Sequence, residues 1–330
     1  MTESPGLAWR PSANQMAIRA RAALYARIRN FFAEAGVLEV ETPILSQASV
    51  TDPALASLTT RLALPGWGDA RPLYLQTSPE FAMKRLLAAG SGPIYQICKV
   101  FRDEERGRWH HPEFSLLEWY RPGWDDQRLM DEVAALVRYA LERPALACER
   151  ISYRALFQGR LGLDPWTAQT SQLRALAERA GIAGAERLDL DNDGWLDLLL
   201  THLIVPELGR GCLTFIHDYP PSQAALARLR WSDGVATAAR FELYVEGLEL
   251  ANGFHELTDA AEQEWRFLAD LELRRACGQT CPPIDRHLLA ALAYGLPDCA
   301  GVALGLDRLL MIALEADAID NVLCFVIEHA

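Results

Sequence analysis

Ionisable side chains are crowded into residues 101–114, which read FRDEERGRWHHPEF. The preceding residues, 94–101, are rich in β-branched and aromatic side chains and therefore predict a strand. An apolar stretch resumes at Phe114, so the charged residues form a loop between two strands. Buried charges are costly unless they are paired, and arginines pair well with phosphate. The pattern therefore predicts that a triphosphate occupies this loop.

The strand that follows this loop carries polar groups on one face. Phe114, Leu116, Glu118 and Tyr120 alternate along the chain, and alternate residues of a strand share a face. We therefore expect a carboxylate and a phenol to point in the same direction as a buried Phe114.

A helix start is predicted at residues 77–80. Ser78 suits the N-cap and Pro79 the first helical position, and the helix should run to about Ala89, with Gly90 ending it. Glu80 would lie in the first turn, where the helix dipole favours a carboxylate. Dipole compensation alone would explain Glu80, and a role in binding is the alternative.

A hairpin is predicted over residues 240–256, with its turn at residues 246–247 and carboxylates at Glu242, Glu249 and Glu256. Strict alternation would place Glu249 and Glu256 on opposite faces. A bulge at Gly253 would bring them to one side, as shared metal ligation requires.

Residues 301–311 change from a strand pattern to a helix pattern, and the glycines at 301 and 305 permit close packing. Arg308 would then lie in the first turn of the helix. A cation is unfavourable there unless an anion lies in front of it. This arginine therefore indicates a second anion contact.

The remaining elements are predicted from periodicity and from turn residues. Helices are expected at residues 17–31, with Gly36 as a stop, and at 127–142; a strand at 37–41 would end at Pro43. Residues 146–231 look like a mostly helical insertion. The run at residues 191–194 is interpreted as a turn, because it lacks the other ligands of a calcium loop.

The net charge of −12 over 330 residues argues against a broadly basic surface wrapped on nucleic acid. No apolar run is long enough for a membrane span, and residues 1–6 contain no secretory signal pattern. The seven cysteines include a close pair, Cys277 and Cys281, with His287 and Cys299 further on. Without a second close pair, free thiols in a reducing cytoplasm are preferred over a zinc site.

Taken together, these segments resemble the catalytic domain of class II aminoacyl-tRNA synthetases, and within that class the lysyl branch. Motif 1 matches the helix, strand and Pro43; motif 2 matches residues 101–114; and motif 3 matches residues 301–308. The resemblance implies an α+β fold, an antiparallel sheet flanked by helices, forming one catalytic domain over residues 1–330 with the insertion at 146–231. A homodimer through motif 1 is also implied.

In three features the sequence is more similar to a shortened relative of the lysyl-tRNA synthetases, which modifies elongation factor P, than to the synthetases themselves. The chain begins almost at motif 1, so an anticodon-binding domain and a tRNA anticodon contact are not expected. Trp109 replaces a basic or small residue of the synthetases, and Ala303 replaces their glycine. Asp103 and His111 depart from this family, which usually has asparagine at both positions.

The resemblance also implies residue roles. Arg102 would bind the α-phosphate of ATP and Arg308 the γ-phosphate, as the catalytic residues, while Phe114 would lie under the adenine and Glu104 on its amino group. Glu249, alone or together with Glu256, would hold Mg²⁺. Further ATP contacts are implied for Asp103, His111, Glu249, Leu250 and Gly305. Substrate contacts are implied for Ser78, Pro79, Glu80, Glu118, Tyr120, Glu256 and Ala303.

The implied activity is an ATP-dependent ligase of the cytoplasm. It would convert (R)-β-lysine or lysine to an acyl-adenylate and transfer it to a lysine ε-amine of elongation factor P. Three alternatives stay open: a free-standing lysyl-tRNA synthetase-like enzyme acting on RNA, a non-catalytic regulatory paralogue, and an ammonia-using amide synthetase. Loss of the phosphate-binding arginines would be expected of a regulatory paralogue, whereas Arg102 and Arg308 are both present.

Overall fold

The computed structural model describes residues 9–63, 65–66 and 69–330. The interpretation of residues 1–6 lies outside these ranges. The chain divides into two compact units. The first unit comprises Met1–Trp124, Tyr139–Glu142 and Thr258–Ala330, and the second comprises Asp125–Arg138 and Arg143–Leu257. The expectation of a single catalytic domain stays a prediction.

The strands are β1 (Leu38–Glu39), β2 (Leu45–Ser46), β3 (Thr59–Leu62), β4 (Arg71–Leu75), β5 (Ile94–Phe101), β6 (Glu113–Pro122), β7 (Ala147–Ser152), β8 (Cys212–Tyr219), β9 (Leu229–Ser232), β10 (Val235–Val245), β11 (Leu248–His255) and β12 (Cys299–Gly305). The α-helices are α1 (Gln15–Glu34), α2 (Glu80–Ala88), α3 (Asp126–Ala140), α4 (Tyr153–Leu161), α5 (Thr170–Arg179), α6 (Asn192–Leu199), α7 (Ala260–Ala276), α8 (Arg286–Gly295) and α9 (Leu306–Leu314).

The first unit holds the sheet order β1-β5-β6-β12 and a separate small sheet ordered β2-β4-β3. The β5–β6 and β6–β12 pairs are antiparallel, whereas β1 runs parallel to β5. Helix α1 packs through its buried face, where the ring of Phe32 stacks on Tyr95 at 4.4 Å between centroids and meets the edge of Trp119 at 5.4 Å. These aromatic contacts fix α1 against the strands that flank the charged loop.

The second unit holds the order β11-β10-β8-β7, with β9 paired to β10. All its strand pairs are antiparallel except β7–β8. Its core combines helices α4 to α6 with the sheet, and includes the stacked pair Tyr153 and Phe157 and the buried Trp195.

Several predicted elements agree with the structure. Strand β5 spans residues 94–101, as their composition predicted. The helix predicted at residues 127–142 is α3, and it buries Leu129, Val133 and Leu136. The hairpin turn falls at Glu246 and Gly247, both with positive φ. Gly36 and Gly90 also follow their helices with positive φ, as a C-terminal stop requires.

Other predicted boundaries were wrong. The strand expected over residues 37–41 is reduced to β1, because the chain leaves the ladder before Pro43, which has no N–H to donate. The run at residues 191–194 starts a helix, since the Asp191 carboxylate accepts the Gly194 N–H at 2.8 Å. The segment 146–231 is helical at its centre, but strands β7, β8 and β9 also lie within it.

Candidate active site

Arg102 and Phe114 lie together at the two ends of the charged loop. The guanidinium carbon of Arg102 is 5.1 Å from the centre of the Phe114 ring, and one terminal nitrogen is 3.6 Å from a Glu105 carboxylate oxygen. The Arg102 Nε is buried and has no hydrogen-bond partner. A buried donor without a partner is costly, so this arginine suits an anionic ligand. Phe114 is half-buried rather than buried as predicted, because the loop leaves one side of its ring accessible.

His110 lies close to both predicted phosphate-binding arginines. A terminal nitrogen of Arg308 is 2.8 Å from His110 Nε2, and Arg308 Nε also donates to the Trp109 carbonyl at 3.4 Å. Partial burial, followed by the charges of Arg308 and Arg102, lowers the pKa of His110, against an opposing effect of Glu105. The neutral imidazole accepts from Arg308, so this arginine lies beside an uncharged ring.

Arg308 occupies the first turn of α9, as predicted. The residue before it, Asp307, was missed by the sequence reasoning. Its buried carboxylate accepts from Arg21 at 2.5 Å and from the Ser115 N–H at 2.6 Å, so it joins α1, β6 and the start of α9. A carboxylate directly before a first-turn arginine was the available signal.

The face of β6 that carries Glu118, here called the acidic pocket wall for its proposed role, groups several predicted substrate contacts. Glu118 is 2% exposed and accepts hydrogen bonds from Ser78 Oγ and from the Tyr120 hydroxyl, each at 2.7 Å. Ala303, on β12, lies directly opposite Glu118 in the β6–β12 pair, so its methyl group is on the same face of the sheet. The structure therefore brings together Ser78, Glu118, Tyr120 and Ala303.

Glu80 opens α2, one residue later than predicted, with Pro79 at the N-cap. Ser78 Oγ still accepts the Glu80 N–H at 3.0 Å. The Glu80 carboxylate also accepts from the buried Lys84 ammonium at 2.6 Å. Because Lys84 balances its charge, Glu80 does not act as an isolated negative charge.

The two residues that depart from the family shape the loop itself. Asp103 accepts the Glu104 N–H at 2.9 Å, and Glu104 has a positive φ of 63°. His111 Nδ1 lies 2.6 Å from the Glu113 carbonyl, and its Nε2 accepts the Ile327 N–H at 2.9 Å. Both ring nitrogens of His111 are thus used by the backbone, which leaves neither for ATP in this arrangement.

In the second unit, one extra residue brings Glu249 and Glu256 to the same face. Leu243 pairs with Ala251 whereas Tyr244 pairs with Glu249, so Leu250 is an extra residue in the register against β10. Continuing the alternation beyond this bulge places Asn252 and Glu256 on the face of Glu249. The bulge predicted at Gly253 lies instead at Leu250, since such a bulge needs no glycine.

Leu250 itself is buried. Its contact with ATP stays a prediction. Asn252, which the sequence reasoning did not single out, has a buried Oδ1 without a hydrogen-bond partner. An acceptor of this kind between two carboxylates suits a cation or an ammonium group.

Glu242 organises this face of the second unit. It is 6% exposed and accepts from the hydroxyls of Tyr219 and Tyr244 at 2.7 and 2.6 Å and from Arg240 at 2.5 Å. Burial, then the charge of Glu242, raises the pKa of both tyrosines well above the usual value. The hydroxyls therefore stay protonated and act as donors.

Gly305 has an ordinary φ of −73° at the N-cap of α9, so its backbone angle does not require glycine. All seven cysteines are free thiols. Among the described residues, no group of three or more histidine, cysteine or carboxylate side chains could hold a metal ion. The described helices also include none long and apolar enough to cross a bilayer.

The sequence matches the family described as tRNA synthetases class II (D, K and N) over residues 3–329. The chain therefore belongs to the class II aminoacyl-tRNA synthetases, and the predicted α+β fold is confirmed. It is 50% identical over 323 residues to the elongation factor P--(R)-beta-lysine ligases of Salmonella gallinarum (strain 287/91 / NCTC 13346) and Salmonella paratyphi B (strain ATCC BAA-1250 / SPB7). Each comparison covers 98% of this chain and 98% of the relative.

Proposed function

We propose that this protein is an ATP-dependent ligase that activates (R)-β-lysine, or lysine, and transfers it to a lysine ε-amine of elongation factor P. The observation that carries the proposal is a pair of arginines on the charged loop and beside it: Arg102 lies against the Phe114 ring, and Arg308 bonds to His110. Two arginines, an uncharged imidazole and an aromatic ring suit a nucleotide triphosphate. The likeness to the Salmonella ligases supports the choice of substrates.

In the first step, the carboxylate of the amino acid attacks the α-phosphorus of ATP. A mixed anhydride with AMP forms, and pyrophosphate leaves. The chain would contribute positioning and charge: Arg102 would hold the α-phosphate and Arg308 the γ-phosphate as negative charge builds on the leaving group. Phe114 would support the adenine and Glu104 its amino group. The buried Arg102 Nε, without a partner, supports a phosphate contact.

The acidic pocket wall would receive the ammonium groups of the amino acid. Glu118, held by Ser78 and Tyr120, is oriented before the substrate arrives. Glu80 could take part only by sharing its carboxylate with Lys84. Ala303 would restrict where the backbone amine fits, because its methyl group lies opposite Glu118. Pro79 and Gly305 would complete the walls by packing.

Glu249 would hold Mg²⁺, which neutralises phosphate oxygens when bound. One carboxylate is enough, since Mg²⁺ commonly uses one or two carboxylates together with phosphate and water. Glu256 does not share this ion, because seven extended residues at about 3.3 Å each place it about 20 Å from Glu249. The buried acceptor of Asn252 supports a positively charged ligand at this face.

In the second step, the ε-amine of the acceptor lysine attacks the acyl carbon, an amide bond forms and AMP leaves. We propose that Asp103 and His111 support the loop rather than touch ATP, because both are used by neighbouring backbone groups. A cytoplasmic location is proposed from the seven free thiols.

We also propose a homodimer through motif 1. Leu38, Ile44 and Leu45 are large apolar residues that are 57, 41 and 44% exposed in that segment. Sedimentation of the wild type should give the mass of a dimer, and the variant Leu38→Glu should shift it towards the monomer.

The central test is ATP–pyrophosphate exchange with the purified protein. Exchange should be stimulated more by (R)-β-lysine than by lysine, and labelled amino acid should pass to elongation factor P rather than to tRNA. Arg102→Ala should abolish exchange, whereas Arg174→Ala, at an exposed surface ion pair, should not. Efficient charging of tRNA would contradict the proposal, and absence of exchange with any amino acid would favour a regulatory paralogue.

A further inference from the structure

The loop of residues 102–112, here called the phosphate loop, is attached to the end of the chain. Three of its residues, Arg106, Arg108 and His111, bond to residues 317–328, here called the C-terminal segment. All these residues belong to the first unit. The attachment therefore links the part of the loop that follows Arg102 to a segment with no role in the proposed chemistry.

Arg106 is the centre of this attachment. Its guanidinium donates to both oxygens of Asp320, at 3.0 and 2.9 Å, and to both oxygens of Glu328, at 2.9 and 3.3 Å. Fork-shaped pairing of this kind fixes direction as well as distance. One planar group thus bridges two carboxylates that lie eight positions apart in the sequence.

Backbone bonds continue the attachment on either side of the loop tip. The Ile319 N–H donates to the Arg108 carbonyl at 2.9 Å, and Arg108 Nε donates to the Asp317 carbonyl at 2.7 Å. The Ile327 N–H donates to His111 Nε2 at 2.9 Å. The loop is therefore held at its middle and at its end, and not by a single surface ion pair.

The C-terminal segment can hold the loop because it is itself fixed to the body of the unit. Val322 and Leu323 are buried, and their backbone carbonyls accept from Arg21 at 2.8 Å and from the Ala13 N–H at 3.0 Å. The segment is thus anchored to the start of α1. The loop gains a rigid support that its own short hairpin, Gly107 to His110, does not supply.

We propose that the C-terminal segment is a clamp that keeps the phosphate loop in the shape that binds ATP, with Arg106, Asp320 and Glu328 as positioning residues. This inference rests on the proposed function. A loop that adopts its binding shape for only a fraction of the time weakens apparent affinity by that fraction. Release of the clamp should therefore raise KM for ATP and leave kcat nearly unchanged.

The test compares Arg106→Gln and Glu328→Gln with the control Arg174→Gln. Arg174 pairs with Glu178 on α5 and has similar exposure, 46% against 37% for Arg106. We expect KM for ATP in the exchange assay to rise by about fivefold in Arg106→Gln, with kcat within about twofold. Arg106→Lys should recover part of the loss, because a single ammonium keeps the charge but not the fork.

Hydrogen exchange of the phosphate loop gives a readout that does not depend on activity. The amides of Glu104 to Trp109 should exchange faster in Arg106→Gln and Glu328→Gln than in the wild type or in Arg174→Gln. Salt near 1 M should accelerate this exchange in the wild type and much less in Arg106→Gln, because exposed charges are screened.

These outcomes separate the two proposals. Unchanged loop exchange and unchanged KM in Arg106→Gln would overturn the clamp, even if the ligase activity is present. Equal losses in kcat and thermal stability, without a specific change in KM, would also overturn it and indicate a merely structural ion pair. Faster loop hydrogen exchange in Arg106→Gln than in the wild type, together with no ATP–pyrophosphate exchange by the wild type, would support the clamp and contradict the proposed function.

Discussion

Replacement of Ser78 by alanine removes two hydrogen bonds from one hydroxyl group. Ser78 Oγ accepts the Glu80 N–H at 3.0 Å and donates to the Glu118 carboxylate at 2.7 Å. The first bond acts like a helix cap, and its loss costs about 1 kcal/mol. The second reaches a buried carboxylate, and a bond to a charged group contributes about 1.5–3 kcal/mol. We therefore expect the free energy of unfolding to fall by about 2.5–4 kcal/mol.

The variant Ser152→Ala separates the two contributions. Ser152 caps α4 by accepting the Ala155 N–H at 3.3 Å, and no carboxylate shares that cap. It should lose only the capping part, about 1 kcal/mol, in chemical denaturation. The excess loss in Ser78→Ala then measures the bond to Glu118. Ser78→Thr, which retains a hydroxyl, should recover most of it.

The same variant should also alter the pocket. A reoriented Glu118 binds an ammonium less well, so KM for the amino acid in the exchange assay should rise about tenfold, while KM for ATP stays nearly constant. If Ser78→Ala loses no more stability than Ser152→Ala and keeps its KM for the amino acid, then Ser78 does not orient Glu118 and the reasoning is refuted.

Three further predictions follow from the site. Ala303→Gly should shift the ratio of kcat/KM between (R)-β-lysine and lysine by about tenfold or more towards lysine, and an unchanged ratio would remove this residue from the specificity argument. Glu242→Gln should reduce the free energy of unfolding by about 3–5 kcal/mol, measured by denaturation, because Arg240 would lose its buried partner; a loss below about 1 kcal/mol would contradict this. The lowered pKa of His110 means that its imidazole takes up a proton less readily in the folded state than in the unfolded state. The free energy of unfolding should therefore be highest above a pH of about 6.5 and decline as the pH falls below it. His110→Asn should lessen this decline between pH of about 7.5 and 5.5, and parallel curves of unfolding free energy against pH for the two proteins would count against it.

The local elements were predictable because their signals lie within a few residues. The composition of residues 94–101 defined β5, and alternation placed Glu118 and Tyr120 on one face, where they form a hydrogen bond. The position of Arg308 in the first turn of a helix followed from a change of period at Gly305. In each case the chain itself carries the information.

The partners of these residues were not predictable, because they come from distant parts of the chain. Asp307 bonds to Arg21, and Arg106 bonds to Glu328, and no local pattern links such positions. The pairing of Glu80 with Lys84 was within reach, since residues four apart meet on a helix. The sequence reasoning weighed the helix dipole and a role in binding at Glu80, but not its pairing with Lys84.

Because Leu250 is an extra residue in the register of β11 against β10, the face that carries Glu249 and Glu256 depends on the number of residues between them. Deleting any one residue between Glu249 and Glu256 would move every side chain on one side of the deletion to the opposite face of the sheet. A substitution within this interval changes one side chain, whereas a change of length exchanges the two faces. We therefore expect related sequences to conserve the number of residues in this interval more strictly than the residue types. In engineered variants, we expect substitutions here to be tolerated where deletions are not.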